Sequence, residues 1–266
     1  MLIYFFVFVF GLIAGSFLNC LIYRIKEKEK FFYPRSFCPY CYHPLSWQDL
    51  IPVLSFFILK GKCRYCKEPI SWQYPLVETA TGLIFVLFLH FHFPVFDIFE
   101  ITIPQFINFF YYLIIASCLI VIFVYDLKHY IIPDEVIYPA TAIALIFNFQ
   151  FLISNQFLIF KETILGAAGA ALFFLFLVLV SKGRWMGAGD IKLAFLMGLV
   201  LGWPDILIGL FLAFFSGAII GVGLMIAGKK KFSSKIPFGP FLTSATFLAI
   251  FFGEDLINWY LSLIAL

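Results

Sequence analysis

The chain reads as long apolar runs separated by short polar interruptions. A helix needs about 20 predominantly apolar residues to cross a bilayer. Runs suited to that task lie near 1–23, 75–93, 104–125, 135–153, 163–181, 190–203, 205–227 and 237–265. The pattern predicts an all-α polytopic membrane protein of about eight transmembrane helices. The sixth and seventh runs are separated only around Gly202-Trp203-Pro204-Asp205, which demands a very tight turn. One interruption, residues 24–74, is much longer than the others. The expected division is a first transmembrane helix at 1–23, a small cytoplasmic loop at 24–74 and a seven-helix membrane domain at 75–266.

Composition and charge sharpen this picture. The chain is 63% hydrophobic and 12% charged, with a mean hydropathy of +1.02. About half apolar residues already fill an ordinary soluble core, so a soluble globular protein is excluded. With the N-terminus outside, the inner loops are 24–74, 126–134, 182–189 and 228–236. Together with Lys192 they hold 17 of the 18 Lys and Arg residues, and only Lys161 remains outside. Lys and Arg mark the cytoplasmic side, so both termini are expected outside. Lys229, Lys230, Lys231 and Lys235 suit anionic headgroups: membrane lipids are expected partners and nucleic acid is not. The first 23 residues have the length of a signal sequence but no basic segment before the apolar run and no Ala-x-Ala after it, so a retained anchor is expected.

The long loop carries four of the six cysteines. Cys38-Pro39-Tyr40-Cys41 and Cys63-Arg64-Tyr65-Cys66 are two Cys-x-x-Cys knuckles at a spacing that suits a tetrathiolate zinc site. Cys38, Cys41, Pro44, Ser46, Trp47 and Gln48 recur as Cys63, Cys66, Pro69, Ser71, Trp72 and Gln73. Two copies of one knuckle around a shared ion make a zinc-ribbon-like loop. Four thiolates leave no position for water, so the zinc is structural, and it stabilises a segment too short for a core of its own. His43 beside the first knuckle is superfluous. Cys20 and Cys118 lie inside helices, where cysteine behaves as a small apolar residue.

Carboxylates at membrane helix ends are costly enough to need a reason. Asp190 follows Met186-Gly187-Ala188-Gly189, with Gly187 and Gly189 suited to a place another part of the molecule approaches closely. Asp126 ends the third run, in Tyr125-Asp126-Leu127-Lys128, and Ile132-Pro133-Asp134 follows. Either aspartate alone could cap or flank a helix; two at one membrane face favour chemistry. At about 5 Å and an effective dielectric near 20, their repulsion is roughly 3 kcal/mol. One then keeps a proton while the other stays ionised, the arrangement of an aspartic protease. Whether they meet is open at this stage. Asp134 precedes Glu135 and has the surroundings of an N-cap. Lys128 and Lys192 either steer anionic groups or anchor at the interface, and anchoring is the expectation. Glu78 lies within the start of the second spanning run, where the helix dipole would favour it. Ser16 and Asn19 share a helix face and suit packing against a neighbour. Gly166–Ala171 is a run of small residues for helix packing, not a dinucleotide motif, because no strand precedes it.

Taken together, these motifs resemble the type IV prepilin peptidases, membrane aspartic proteases of the Gly-x-Gly-Asp class. The resemblance is carried in order by Gly15-Ser16-Phe17-Leu18-Asn19, the two cysteine pairs, Tyr74-Pro75-Leu76-Val77-Glu78, Asp126 with Ile132-Pro133-Asp134, Gly187-Ala188-Gly189-Asp190-Ile191-Lys192-Leu193, and Ile236-Pro237-Phe238-Gly239-Pro240. It implies a prokaryotic cytoplasmic (inner) membrane enzyme that cleaves prepilin or pseudopilin precursors after a glycine, on the cytoplasmic side. Asp126 and Asp190 would be catalytic, with Gly187, Gly189, Asp134 and Lys192 in support. It also implies N-methylation of the new terminus with S-adenosylmethionine. Glu78 is the candidate for methyl transfer or substrate binding, since a carboxylate near the cleavage site could take the proton of the new amine. Two other classes remain open. One is a cation or proton transporter using the intramembrane carboxylates, which leaves the cysteine loop without work. The other is a zinc-loop membrane scaffold in which the carboxylates are incidental.

Overall fold

The computed structural model describes residues 2–27, 35–93, 102–153, 156–228 and 236–264. Asp97, Glu100 and the Lys229–Lys235 cluster lie outside the described residues. Among the described residues the regular structure is helical: α1 (Leu2–Glu27), α2 (Leu54–Ile58), α3 (Gln73–His92), α4 (Ile103–His129), α5 (Asp134–Ile153), α6 (Phe157–Ser181), α7 (Ala188–Leu201), α8 (Asp205–Ile226) and α9 (Gly239–Ile264). The eight longer helices coincide with the eight apolar runs. Six of them, α1, α3, α4, α6, α8 and α9, are long and apolar enough to cross a membrane. The chain forms two compact units, Met1–Val121 and Ile122–Leu266, which divide within α4.

In the first unit α1 packs along α3. Gly11 and Gly15 stand four apart on one face of α1. A Cβ on Gly11 would lie 2.6 Å from Gly82 Cα, and one on Gly15 2.6 Å from Glu78 Cα. Small residues at this spacing let helix backbones approach closely. One turn further on, Asn19 fastens the pair: its Nδ2 donates to the Tyr74 carbonyl (3.1 Å), and Gln73 Nε2 donates to its Oδ1 (3.0 Å). A buried amide left unpaired would cost free energy, so these bonds also fix the register.

The second unit is organised around its shortest long helix. At 14 residues α7 rises only about 21 Å, yet it packs against α5, α6, α8 and α9. Leu193, Ala194, Leu196 and Met197 are fully buried. The small-residue run on α6 receives it: a Cβ on Gly198 would overlap the backbone of Ala167. Asn148 of α5 donates to the Leu199 carbonyl (3.0 Å) and to Ala144 of its own helix (2.8 Å). The tight turn expected after α7 is made by Gly202 at φ +72°, a left-handed conformation that glycine adopts without steric cost. The hub thereby holds the first turn of α7, with Asp190 as its third residue, in a fixed place.

Candidate active site and metal centre

Asp126 and Asp190 both belong to the second unit and both are buried. Asp126 sits in the last turn of α4, where its own helix dipole disfavours a negative charge. The start of α9 offsets this: the Gly239 N–H donates to Asp126 Oδ2 at 2.9 Å. A Cβ on Gly239 would fall 2.5 Å from that oxygen, so no L side chain fits while the carboxylate is in place. The α9 start is itself held. Pro240 occupies the first helical turn, where its missing N–H is harmless, and the Phe238 ring is surrounded by Phe174, Phe214 and Phe241.

Asp190 is anchored locally. The Gly187 N–H donates to its Oδ2 at 3.0 Å, and its own N–H reaches the Gly187 carbonyl at 3.2 Å. Each carboxylate thus lies at the positive end of a helix, with one backbone amide on Oδ2. Neither has a cationic partner among the described residues. The two are within electrostatic reach of one another, so the helix ends that the sequence separates by 64 residues are brought together.

The supporting residues fall into two groups. Gly189 meets Ile132, whose Cβ would stand 3.2 Å from a Cβ at that position, which joins the two aspartate motifs by close packing. Gly187 has φ −86°, and a Cβ there would make only ordinary contacts, 3.8 Å from Asp190 Oδ2; its backbone, not its lack of a side chain, is what the site uses. Lys192 donates to Asp134 Oδ1 at 2.6 Å and lies over the Tyr138 ring, 4.7 Å from its centroid. This pair clamps the starts of α7 and α5.

The four loop cysteines come together, with their sulfurs all within 4.8 Å of one another and Cys38 Sγ 3.9 Å from Cys66 Sγ. A tetrahedral ion with metal–sulfur bonds of about 2.3 Å has sulfurs about 3.8 Å apart, so the cluster fits one metal ion. The sequence repeat is also a repeat of geometry. Cys38 N–H donates to His43 O and Tyr42 N–H to Cys38 O; Cys63 N–H donates to Glu68 O and Lys67 N–H to Cys63 O. Tyr42 and Lys67, equivalent in the repeat, both take positive φ. Burial raises the Cys63 thiol, but the backbone amides of Cys66 and Tyr65 and the neighbouring thiols outweigh it and bring it down to about 7. His43 lies outside the cluster, with its ring against Tyr65.

Glu78 belongs to the first unit and is buried in the second turn of α3, beyond the reach of the helix start. Its Oε2 accepts the Val53 N–H at 2.7 Å, and the Ser16 hydroxyl also bonds to the carboxylate. Val53 is a β-branched residue at φ +61°, a sparsely populated conformation. The bond therefore holds a strained corner of the cysteine loop against α3.

Two family models match the chain: the bacterial peptidase A24 N-terminal domain over residues 9–92 and the type IV leader peptidase family over 113–222. The chain is 31% identical to the prepilin leader peptidase/N-methyltransferase of Aeromonas salmonicida, over 97% of this chain and 94% of the relative. The chain belongs to the type IV leader peptidase family. Relatives of the same name in Legionella pneumophila (35% identical; 95% and 92% covered) and Bacillus subtilis (30%; 96% and 97%) agree. No solved structure matches the chain. The first family model spans the cysteine cluster and Glu78, and the second spans both aspartates.

Sequence reasoning missed two contributors within these spans and beyond them. Gly239 was legible only as part of a motif, because its role is an amide bond across 113 positions. The spacing of Gly11 and Gly15 was a signal that could have been read as a helix-packing pair.

Proposed function

We propose that this member of the type IV leader peptidase family is a membrane aspartic endopeptidase that removes the leader of prepilin-like precursors and then N-methylates the new terminus. The observation that carries the reading is the pair of buried aspartates in electrostatic reach of one another, each held by one amide and with no other partner among the described residues. With Oδ2 of each engaged, Oδ1 is available to the reaction. The ionised member takes a proton from water, and the resulting hydroxide attacks the scissile carbonyl carbon. The protonated member gives its proton to the carbonyl oxygen. As the tetrahedral species collapses, the aspartate that took the water proton passes it to the leaving nitrogen, and the other aspartate takes the proton of one hydroxyl. The C–N bond breaks, the amine and the carboxyl product leave and both groups return to their starting states. Asp126 and Asp190 are the catalytic residues, cleavage follows a glycine, and the site faces the cytoplasm of the inner membrane, as the Lys and Arg distribution supports.

Cys38, Cys41, Cys63 and Cys66 would hold one structural zinc ion, in keeping with their thiol chemistry and spacing. S-adenosylmethionine, when bound, supplies an electrophilic methyl group. Glu78, buried without a cationic partner among the described residues, suits a cationic sulfonium and would accept the proton of the new amine. The test is incubation of the purified protein with a pilin-like precursor and the methyl donor, with products weighed by mass spectrometry. Loss of the leader and a gain of one methyl group are expected; an uncleaved precursor overturns the reading.

A further inference from the structure

The lipid-facing stripe of α3 does not stop at the helix start, and we propose that the cysteine loop docks on the bilayer surface through Leu54, Phe57, Ile58 and Trp72. Along α3 the exposed residues include Leu76, Ala80, Leu83 and Leu87, a spacing of three and four that lines one helix face. On a helix long and apolar enough to cross a membrane, such a face meets acyl chains. Trp72 stands four positions before Leu76, extends the stripe by one turn and is 62% exposed. Its ring packs on Phe56 and Phe57, with centroids 4.8 and 6.4 Å away, which carries the surface sideways onto α2. There Leu54, Phe57 and Ile58, spaced on one face, are 60%, 59% and 70% exposed. Phe56 is buried, with its ring against the Gly61 corner. The short helix α2 therefore turns its apolar side outward while its inward ring secures it to the loop.

Three features select the bilayer as the occupant. The loop leaves α1 and enters α3, both apolar enough to span, and Trp72 adjoins the first residue of α3, so α2 is tethered at the membrane surface. The patch is continuous with a face that already meets lipid. The charge complements anionic headgroups: residues 35–72 hold Arg35, Lys60, Lys62, Arg64 and Lys67 against Asp49 and Glu68. Lys60 and Lys62 follow α2 directly and are exposed. An exposed indole one position before a spanning helix, in a loop with a surplus of lysine and arginine, is the pattern of an interfacial anchor. Docking fixes the height of the metal cluster above the bilayer. It uses neither aspartate, so it stands or falls apart from the peptidase reading.

The test uses full-length protein in vesicles of phosphatidylcholine and phosphatidylglycerol with bromine on the acyl chains near the headgroup. The emission of Trp72 is taken as the difference between the wild type and Trp72→Phe. Most of it is expected to be lost to bromine and to resist aqueous iodide. Loss to iodide but not bromine overturns the proposal. Protection from both quenchers, varying with protein-to-lipid ratio, assigns the patch to a second copy of the chain and also overturns it. A benzophenone side chain at position 58 gives an independent readout: irradiation is expected to capture lipid, and capture of another protein chain in its place rejects docking.

Discussion

Asp49 in the cysteine loop and Asp126 in the membrane unit are both buried carboxylates, and they are satisfied in opposite ways. The Asp49 side chain is 3% exposed and accepts four bonds: Ser46 N–H (3.1 Å), Ser46 hydroxyl (2.8 Å), Arg64 Nε (2.7 Å) and Tyr65 hydroxyl (3.4 Å). Its charge is neutralised and both of its oxygens are engaged, Oδ2 by three donors and Oδ1 by Arg64. Among the described residues Asp126 accepts one amide, as does Asp190, and neither has a cation. A saturated carboxylate closes a structure, because nothing further can bind it. An under-saturated buried pair leaves acceptors pointing at whatever enters, which is costly at rest and useful only if something transient arrives. The same contrast separates the cysteine cluster, whose four thiols would close around one ion, from the aspartate site.

The largest break in this contrast comes from the unsaturated side. Asp126→Asn and Asp190→Asn are each expected to lower kcat for leader cleavage by roughly 10³-fold or more, since each removes an acid or base. Amide side chains keep the volume, so the variants should still insert and hold metal. Turnover near that of the wild type in either variant would dissolve the pair as a catalytic unit. Next is Glu78→Gln, which sits between the two kinds: one amide, one hydroxyl and, among the described residues, no cation. Methylation of the mature product should disappear while cleavage continues. Full methylation, read by mass spectrometry, would leave Glu78 only its grip on Val53.

Gly239→Ala is expected to be intermediate. The new Cβ meets the far end of the Asp126 side chain, while the α9 start is fixed by Pro240 and the packed Phe238 ring. The side chain yields and the fold survives. Misplacement of a catalytic group by about 1 Å can cost on the order of 10²-fold, so kcat should fall by about that much with little change in KM. A KM effect alone would place Gly239 in substrate binding and separate it from Asp126.

Cys63→Ser tests the closed side. The variant should lose its metal and expose residues 35–72 to protease, because a broken site forfeits most of the folding free energy that the metal supplies. Leader cleavage should persist, since the aspartates belong to the other unit. Native protein that holds no metal, with all four thiols freely alkylated, would remove the site altogether.

What the sequence revealed follows the range of each interaction. The helices were legible because spanning requires a long apolar run, and the metal cluster because its ligands and their repeat lie within one short segment. The positive φ at Tyr42 and Lys67 was not, since neither is a glycine and only the closed knuckle enforces it. The aspartates stood out by their cost in an apolar chain, but what holds Asp126 did not: Gly239 comes from the far end of the sequence. Glu78 shows the limit most plainly. The helix dipole was the expected support, whereas the structure supplies the amide of Val53, a strained residue that no local pattern marks. The break between units inside α4 is equally hidden, because the apolar run crosses it without interruption. The 14 residues of α7 gave no hint of a hub, which depends on what packs around them.

The smallest effect expected concerns Asp49 itself. Burial raises its carboxyl, but the bonds from Arg64 and Ser46 outweigh this and hold it below the ordinary aspartate range. A depressed folded value means that its stabilisation is fully present above the unfolded pKa of about 3.9 and is lost as pH falls through the folded value. Arg64 is partly exposed, so screening reduces the gain. Asp49→Asn should therefore cost about 1 kcal/mol, or roughly fivefold in local opening of the loop. The ratio of proteolysis rates between variant and wild type should stay flat from pH 8 to pH 5. The comparison is made with the metal in excess, so that the cysteine cluster stays closed in both proteins over that range. A ratio that vanishes already near pH 6 would mean that Asp49 titrates in the neutral range and is not saturated, and the contrast with Asp126 would fail at its firmer end.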